Sequence, residues 1–338
     1  MDMQAMIESK LSVSRYTPEI CGEWNCFLQK AKNASFLFDR NYMDYHADRF
    51  RDFSLVCRNE NGAVLAMMPA NQSADNVVVS HQGLTYGGLV VSRDEKLKDM
   101  VILFKEILRY YQDNGIDKIV YKEIPAIYND VPSDEMQYLL FILEARLVRR
   151  DACAVIRNAS RFPYQRRRSS AIKHARALGV EIRQDNDFEA FWSQILEPNL
   201  MNRHGVRPVH SVAEIQMLHN RFPDQIKQFN AYFQGKIMAG VTIFEMDRLA
   251  RAQYTSGSAE GRKNGSLDLL FDTLINHVYS HKDYIDFGNS NEDNGHVLNL
   301  GLLDWKEGLG ARTYAQNFYE IQTANYTLLD KLLINRPG

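Results

Sequence analysis

Between Gln253 and His277 the sequence reads QYTSGSAEGRKNGSLDLLFDTLINH: an alternating strand, a glycine-rich loop with two adjacent cations, and an amphipathic helix. Backbone N–H groups at a helix start converge on one point, and the helix dipole adds partial positive charge there. The run Gly261, Arg262, Lys263, Asn264, Gly265 and Ser266 is therefore a candidate phosphate cradle. It is not a nucleoside triphosphate loop of the form G-x-x-x-x-G-K-[ST], and G-x-G-x-x-G does not occur, so a dinucleotide reading loses its main support. The same residues also read as an ordinary helix start, with Ser266 as cap and Asp268 complementing the dipole. Other chemistries find less. His277 and His281 are four apart, but there is no H-E-x-x-H and no third ligand, so no metal site is expected. The G-x-S-x-G elbow of a serine hydrolase is absent.

The elements that must position this loop recur along the chain. In the first half, strands at Phe53–Arg58, Ala63–Ala70 and Asn76–Ser80 precede the glycine-rich QGLTYGG. A helix follows with apolar residues at Leu97, Met100, Val101, Phe104, Ile107, Leu108 and Tyr111, closed near Gly115, and then a strand at Ile119–Tyr121. In the second half, strands at Gln228–Gln234, Ile237–Phe244 and Leu249–Thr255 precede the quoted loop. Its helix buries Leu267, Leu270, Phe271, Leu274, Ile275 and Val278 and leads to a strand at Tyr284–Phe287. The same order twice predicts a duplicated α/β (α+β) unit, each a mixed, mostly antiparallel sheet flanked by helices. The boundary is expected beside Asn158, giving units of 1–157 and 158–338.

A chain of 338 residues with 45% hydrophobic and 11% aromatic residues supplies a core for each unit. The formal net charge of −2 excludes global electrostatic binding of nucleic acid or membrane, so any such contact must be local. One candidate is the acid-free stretch with Arg161, Arg166, Arg167, Arg168, Lys173 and Arg176, which reads either as a solvated linker and helix face or as a phosphate or RNA contact. No apolar run reaches the roughly 20 residues of a membrane span, and MDMQAMIESK lacks the regions of a signal peptide. Cys21, Cys26, Cys57 and Cys153 form no C-x-x-C pair and read as free thiols. The expected location is the cytoplasm.

The strand–loop–helix arrangement resembles the acyl-CoA loop of the GNAT superfamily of N-acyltransferases, whose usual form is Arg/Gln-x-x-Gly-x-Gly/Ala. Here Arg262 precedes Gly265 by three residues, but Leu267 stands where a small residue is preferred. The segment NGHVLNLGLLDWKEGLGARTYAQNFYEI resembles the C-terminal signature of the tandem, Fem-type (FemAB-like) branch, with Trp305, Lys306, Gly308 and Gly310 as its aromatic-Lys pair and following turn. RRRSSAIKHARALGVEI is similar to the basic helix opening that branch's second unit, and NRHGVRPVHS to a loop of related acyltransferases. Together these cover most of 160–320. The coiled-coil arm frequent in the branch, linked there to tRNA handling, has no heptad counterpart here.

The resemblance implies tandem GNAT-like units, the second carrying the donor loop, and transfer of an acyl group to an amine. It implies Lys306 as electrostatic stabiliser of the acyl-transfer centre, with Trp305 walling the pocket. Glu292 and Asp286 are candidates for proton transfer, with Tyr319 as a possible acid. Acceptor-binding candidates are His81, Tyr86, Arg203 and His204. The expected donor is acyl-CoA, such as acetyl-CoA. The acceptor is a small-molecule amine on a sugar nucleotide, a cell-envelope polysaccharide precursor or an amino acid. Fem-type proteins attach amino acids to peptidoglycan precursors using aminoacyl-tRNA, so tRNA held by the basic stretch is the alternative donor. A catalytically idle binding module that kept the fold is the third reading.

Overall fold

In a computed structural model, which describes residues 11–333, the chain divides into two compact units. One comprises residues up to Arg150 together with those from Gln316 onward, and the other is Asp151–Ala315. Residues 1–10, read above as carrying no leader signature, lie outside the described residues. The division thus differs from a single cut at 157/158, because the last strand of the chain pairs with Lys118–Lys122 of the first unit's sheet.

The strands of the first unit are β1 (Ser12–Arg15), β2 (Arg51–Asp52), β3 (Leu55–Arg58), β4 (Val64–Met68), β5 (Asn71–Ala74), β6 (Val77–Val79), β7 (Val90–Val91) and β8 (Lys118–Lys122), with helix α1 (Leu97–Asp113) before β8. The second unit contains β9 (Arg146–Arg157, from Asp151 on), α2 (Arg166–Leu178), β10 (Glu181–Gln184), β11 (Ile226–Phe233), β12 (Lys236–Glu245) and β13 (Leu249–Gly257). It continues with α3 (Ala259–Lys263), α4 (Ser266–Thr273), β14 (Tyr284–Asn289) and α5 (Leu300–Gly308). The final strand β15 (Arg312–Gln322) runs from the second unit back into the first.

In the first unit an antiparallel sheet β1-β3-β4-β7 accompanies the run β2-β5-β6-β8-β15, in which only β6 and β8 are parallel. Of the α1 stripe read from the sequence, Met100, Val101, Phe104, Ile107, Leu108 and Tyr111 are buried against Leu55, Met68, Ile119 and Tyr121, with Ile321 and Leu329 completing the cluster, while Leu97 at the helix start stays exposed. Asn71–Ala74, which falls between two of the strands read from the sequence, is itself a strand. Its residues run from buried to exposed without apolar alternation, so the periodic signal of a strand is missing.

His46 of this unit is fully buried among the rings of Tyr45, Phe50 and His81, and neither of its nitrogens has a hydrogen-bond partner among the described residues. Burial, helped by the Arg49 charge, pulls its pKa down to about 4. The unfolded chain takes up this proton near pH 6.5 and the folded one only near 4, so the stability carried by neutral His46 is complete above 6.5 and is lost as pH falls toward 4. The loss is about 3 kcal/mol. Urea unfolding at pH 7 and pH 4.5 should show a smaller acid penalty in His46→Phe than in the parent; equal penalties would place the acid sensitivity elsewhere.

The second unit's sheet runs β10-β11-β12-β13-β14-β9, antiparallel except for β13 with β14. The parallel pair follows from the crossover through α3 and α4, since a hairpin can deliver only an antiparallel neighbour. Leu270, Phe271, Leu274 and Ile275 face Val241, Ile243 and Ile285, joined by Ile172 and Ala175 of α2. The helix closes through a widened turn at Leu274–Val278, where Tyr279 N–H donates to Leu274 O over 2.7 Å. His281 therefore falls in the turn beyond the helix and shares no helix face with His277.

Candidate functional site

Strands β13 and β14 pair at Leu249 with Tyr284, Ala250 with Ile285 and Arg251 with Asp286, and then separate. Past Arg251, β13 keeps ladder pairing only with β12 among the described residues. Each strand carries a local cause. On β13, Thr242 faces Tyr254 and Ile243 faces Ala252, which leaves Gln253 as an extra, unpaired residue. On β14, Asp286 faces Val155 and Asn289 faces Cys153, so Phe287 and Gly288 together stand opposite Ala154. Such bulges bend and twist a strand. Gly288 has φ +71°, a conformation that side-chain-bearing residues resist.

Charged groups bind the edges of this opening together. Arg251 Nη1 lies 2.5 Å from Asp286 Oδ2, and the Gly288 N–H donates to Asp286 Oδ1 over 2.7 Å. Both Asp286 oxygens are engaged and the residue is buried, which suits it to holding the backbone and leaves no open face for proton transfer. Lys306, at the last turn of α5, is only 4% exposed; its Nζ donates to Gly288 O at 3.0 Å and Asn289 O at 2.6 Å. Burial pulls its pKa down to about 8, against the opposing pull of Asp286. An ammonium has three donors, so two fixed on carbonyls leave a third for another acceptor. Cys153, buried on β9, is not a thiolate, because burial pushes its thiol up to about 12.

The other sequence candidates fall in different surroundings. Trp305 is half-buried. Its indole N–H donates to Asp268 Oδ1 over 3.3 Å and its ring meets Phe271 and Phe287 edge-on, so it docks α5 onto α4. Glu292 is exposed and accepts from Asn299. Tyr319 lies in the first unit's sheet opposite Tyr121, and burial, with Glu123, raises its pKa, which makes it a weaker proton donor. His81 and Tyr86 are buried in the first unit, His81 beside His46 and Phe50, Tyr86 beside Phe38 and Tyr128. Arg203 is exposed in the second unit, and the side chain of His204 lies outside the described residues.

The glycine-rich loop is more structured than the sequence predicts. Ser258 caps the short α3, Gly265 stands at φ +78°, and α4 begins at Ser266. Gly261 N–H donates to Ser258 Oγ, Arg262 N–H to Ser258 O, Asn264 N–H to Glu260 O and Ser266 N–H to Asn264 Oδ1. Those four amides already have partners inside the protein. The start of α4 holds the buried Asp268 carboxylate, paired with Arg168 at 3.0 Å. Arg262 and Lys263 remain exposed, with Arg262 Nη1 donating to Gly257 O at the end of β13.

Much of the basic stretch is likewise spent internally. Arg168 pairs with Asp268, Arg176 with Asp272 and Arg167 with Asp304, while Arg161 donates to Asn276 Oδ1. Arg166 and Lys173 stay exposed. A cation already neutralised releases fewer counterions from a polyanion, so the stretch is a weaker nucleic-acid surface than its charge count indicates. The residues that sequence reasoning missed are Arg251, Gln253 and Gly288. Their signal was a lone charge in each of two apolar strands, LARAQ and YIDFG, whose partnership spans 35 positions.

Among the described residues no helix is long and apolar enough to cross a membrane, and no group of three or more His, Cys, Asp or Glu could hold a metal ion. No family model matches the chain, and no curated protein matches it. Solved structures do. FemX is 11% identical, with a TM-score of 0.64 over 95% of this chain and 99% of that one. L-PGS from Bacillus licheniformis is 13% identical, with a TM-score of 0.57 over 96% and 99%. A tandem GNAT protein from the clavulanic acid biosynthesis pathway is 10% identical, with a TM-score of 0.51 over 93% and 99%.

Proposed function

From the premise that this chain has the tandem GNAT-like fold, we propose that it is an N-acyltransferase that moves an acyl group from acyl-CoA to the amine of a small molecule. The observation that carries the reading is the opening between β13 and β14 with the buried Lys306 ammonium at its end. Acyl transfer needs a carbonyl held in place and a donor for the oxyanion that develops on it. Past Arg251 the β13 edge is released from β14, so its backbone can pair with an extended arm bearing amides, as a thioester on pantetheine does. That edge leads to Arg262 and Lys263, whose exposed cations suit the phosphates beyond the arm. Lys306 supplies the third N–H to the acyl oxygen. The acceptor class is an amine of a sugar nucleotide, polysaccharide precursor or amino acid.

A second donor, aminoacyl-tRNA, draws support from one specific feature. Asp268 puts a carboxylate at the start of α4 where a pyrophosphate would otherwise find its partial positive charge, and FemX shares the fold. Melting curves separate the two. Acetyl-CoA or a longer acyl-CoA at about 100 times its Kd should add roughly 2.7 kcal/mol of stability. No shift with any acyl-CoA, together with salt-sensitive binding of tRNA, would replace the first donor by the second. Neither response, with no transfer to any amine, would leave the fold as an idle binding module.

A further inference from the structure

One guanidinium touches both strands at the point where they part. Arg251 stands in the last rung that joins β13 to β14. Toward β14 it binds Asp286, whose other oxygen holds the Gly288 N–H and so fixes the residue at φ +71°. Along β13 its Nε donates to Gln253 Oε1 at 3.3 Å, and Gln253 is the extra residue of the β13 bulge. The bulge that bends one strand and the turn that bends the other are thus tied to the same side chain. The carbonyls of Gly288 and Asn289, which follow that turn, are those that Lys306 holds.

We propose that Arg251 is the positioning residue of this site: by bridging Gln253 and Asp286 it fixes the divergence of the two strands, and through Gly288 it sets the place of the Lys306 ammonium. The inference deepens the acyl-transfer reading and rests on it for its catalytic meaning, but the geometry it describes exists without any substrate. A planar, five-donor fork suits the task, since it can serve two acceptors in different directions while staying charged, which a lysine cannot do as well. The charged and titratable groups around Lys306 are Asp286, Arg251 and Cys153, with Asp151 on β9 held by Asn289 and Asn291.

The test reads Lys306 directly, in protein carrying 13C at lysine Cε, with the Lys306 resonance assigned by its loss in Lys306→Met. In Arg251→Met a neighbouring cation is gone and Asp286 is freed toward Lys306, so the Lys306 titration midpoint should rise by about one pH unit, a tenfold change in proton affinity. Hydrogen exchange of peptides spanning 284–290 should quicken about tenfold as the Gly288 turn relaxes. Arg251→Lys should return the midpoint toward the parent value while exchange stays fast, because it restores the charge and not the bridge; a purely electrostatic role would not split the two readouts. If Arg251→Met does not fold, Gln253→Ala cuts the β13 tie alone and should speed exchange of peptides spanning 250–257, around the bulge. Parent-like exchange and midpoint in the folded variants would overturn the proposal. Because neither readout needs turnover, failure of the acyl-transfer reading would show separately, as absence of transfer by a parent protein whose Arg251 variants behave as expected.

Discussion

Lys306→Met is expected to lower kcat by about 10²–10³, the usual loss when one donor to a developing oxyanion is removed, while acyl-CoA affinity stays nearly constant. The reason is geometric: two N–H groups of the ammonium are fixed on Gly288 O and Asn289 O, and only the third is available to a reacting carbonyl. The assay is CoA release from acyl-CoA in the presence of an amine acceptor found by screening amino sugars, precursor amines and amino acids. Stability should move far less than rate. The two carbonyls lose their donor, at about 1–3 kcal/mol for a buried bond left unmade, while removing a buried charge returns about 3 kcal/mol. The pH dependence follows from the depressed pKa of about 8. Activity needs the ammonium and should fall above pH 8. Stability should rise between pH 8 and 10.5, where the unfolded chain holds this proton and the folded one does not. An unchanged kcat in folded Lys306→Met would sink the role.

Gly265→Ala should strongly destabilise the second unit. Gly265 sits at φ +78°, and a Cβ there would stand 2.4 Å from Ala171 O and 2.9 Å from Ala171 C. Those atoms are α2 backbone, so the strain cannot be relieved by a side-chain rotation. The left-handed conformation costs an L-residue about 1–2 kcal/mol, and separating α2 from α4 adds core packing to that. A total of about 3 kcal/mol corresponds to a fall in Tm of about 6–12 °C. Gly257→Ala is the control, because its nearest neighbours stand at 3.6 Å or more, and it should melt like the parent. Equal melting of the two variants would refute the account. The same geometry rules out Gly265→Pro as a probe of ligand binding, since proline fixes φ near −65° and would disrupt the turn itself.

How far the sequence carried depends on the range of each interaction. The strands from Ile226 to Gly257 and the α1 stripe were legible because one buried face imposes a period of two or of 3.6 on neighbouring residues. The bulge at Gln253 was not, because in LARAQYTSG small and polar residues hide the change of face. Lys306 was legible as a candidate, but its position in the last helical turn fits a surface cation equally well. Its burial is decided by where the end of β14 points, 17 residues earlier in the chain. The partners of the basic stretch were hidden for the same reason: Asp268 and Asp272, which pair with Arg168 and Arg176, lie 100 and 96 positions away.

The return of β15 into the first unit bears on the order in which the protein can be made. A ribosome emits the second unit, Asp151–Ala315, entire before it emits Gln316–Gln322, so the later-encoded unit can finish folding while the earlier one still lacks a strand. Until then β8, with Ile119 and Tyr121, presents an open edge where Ile321 and Tyr319 will later pair. Nascent chains halted before Gln316 should accordingly be protease-resistant across 151–315 and prone to aggregate through residues 118–122, a hazard that synthesis of the last strand removes.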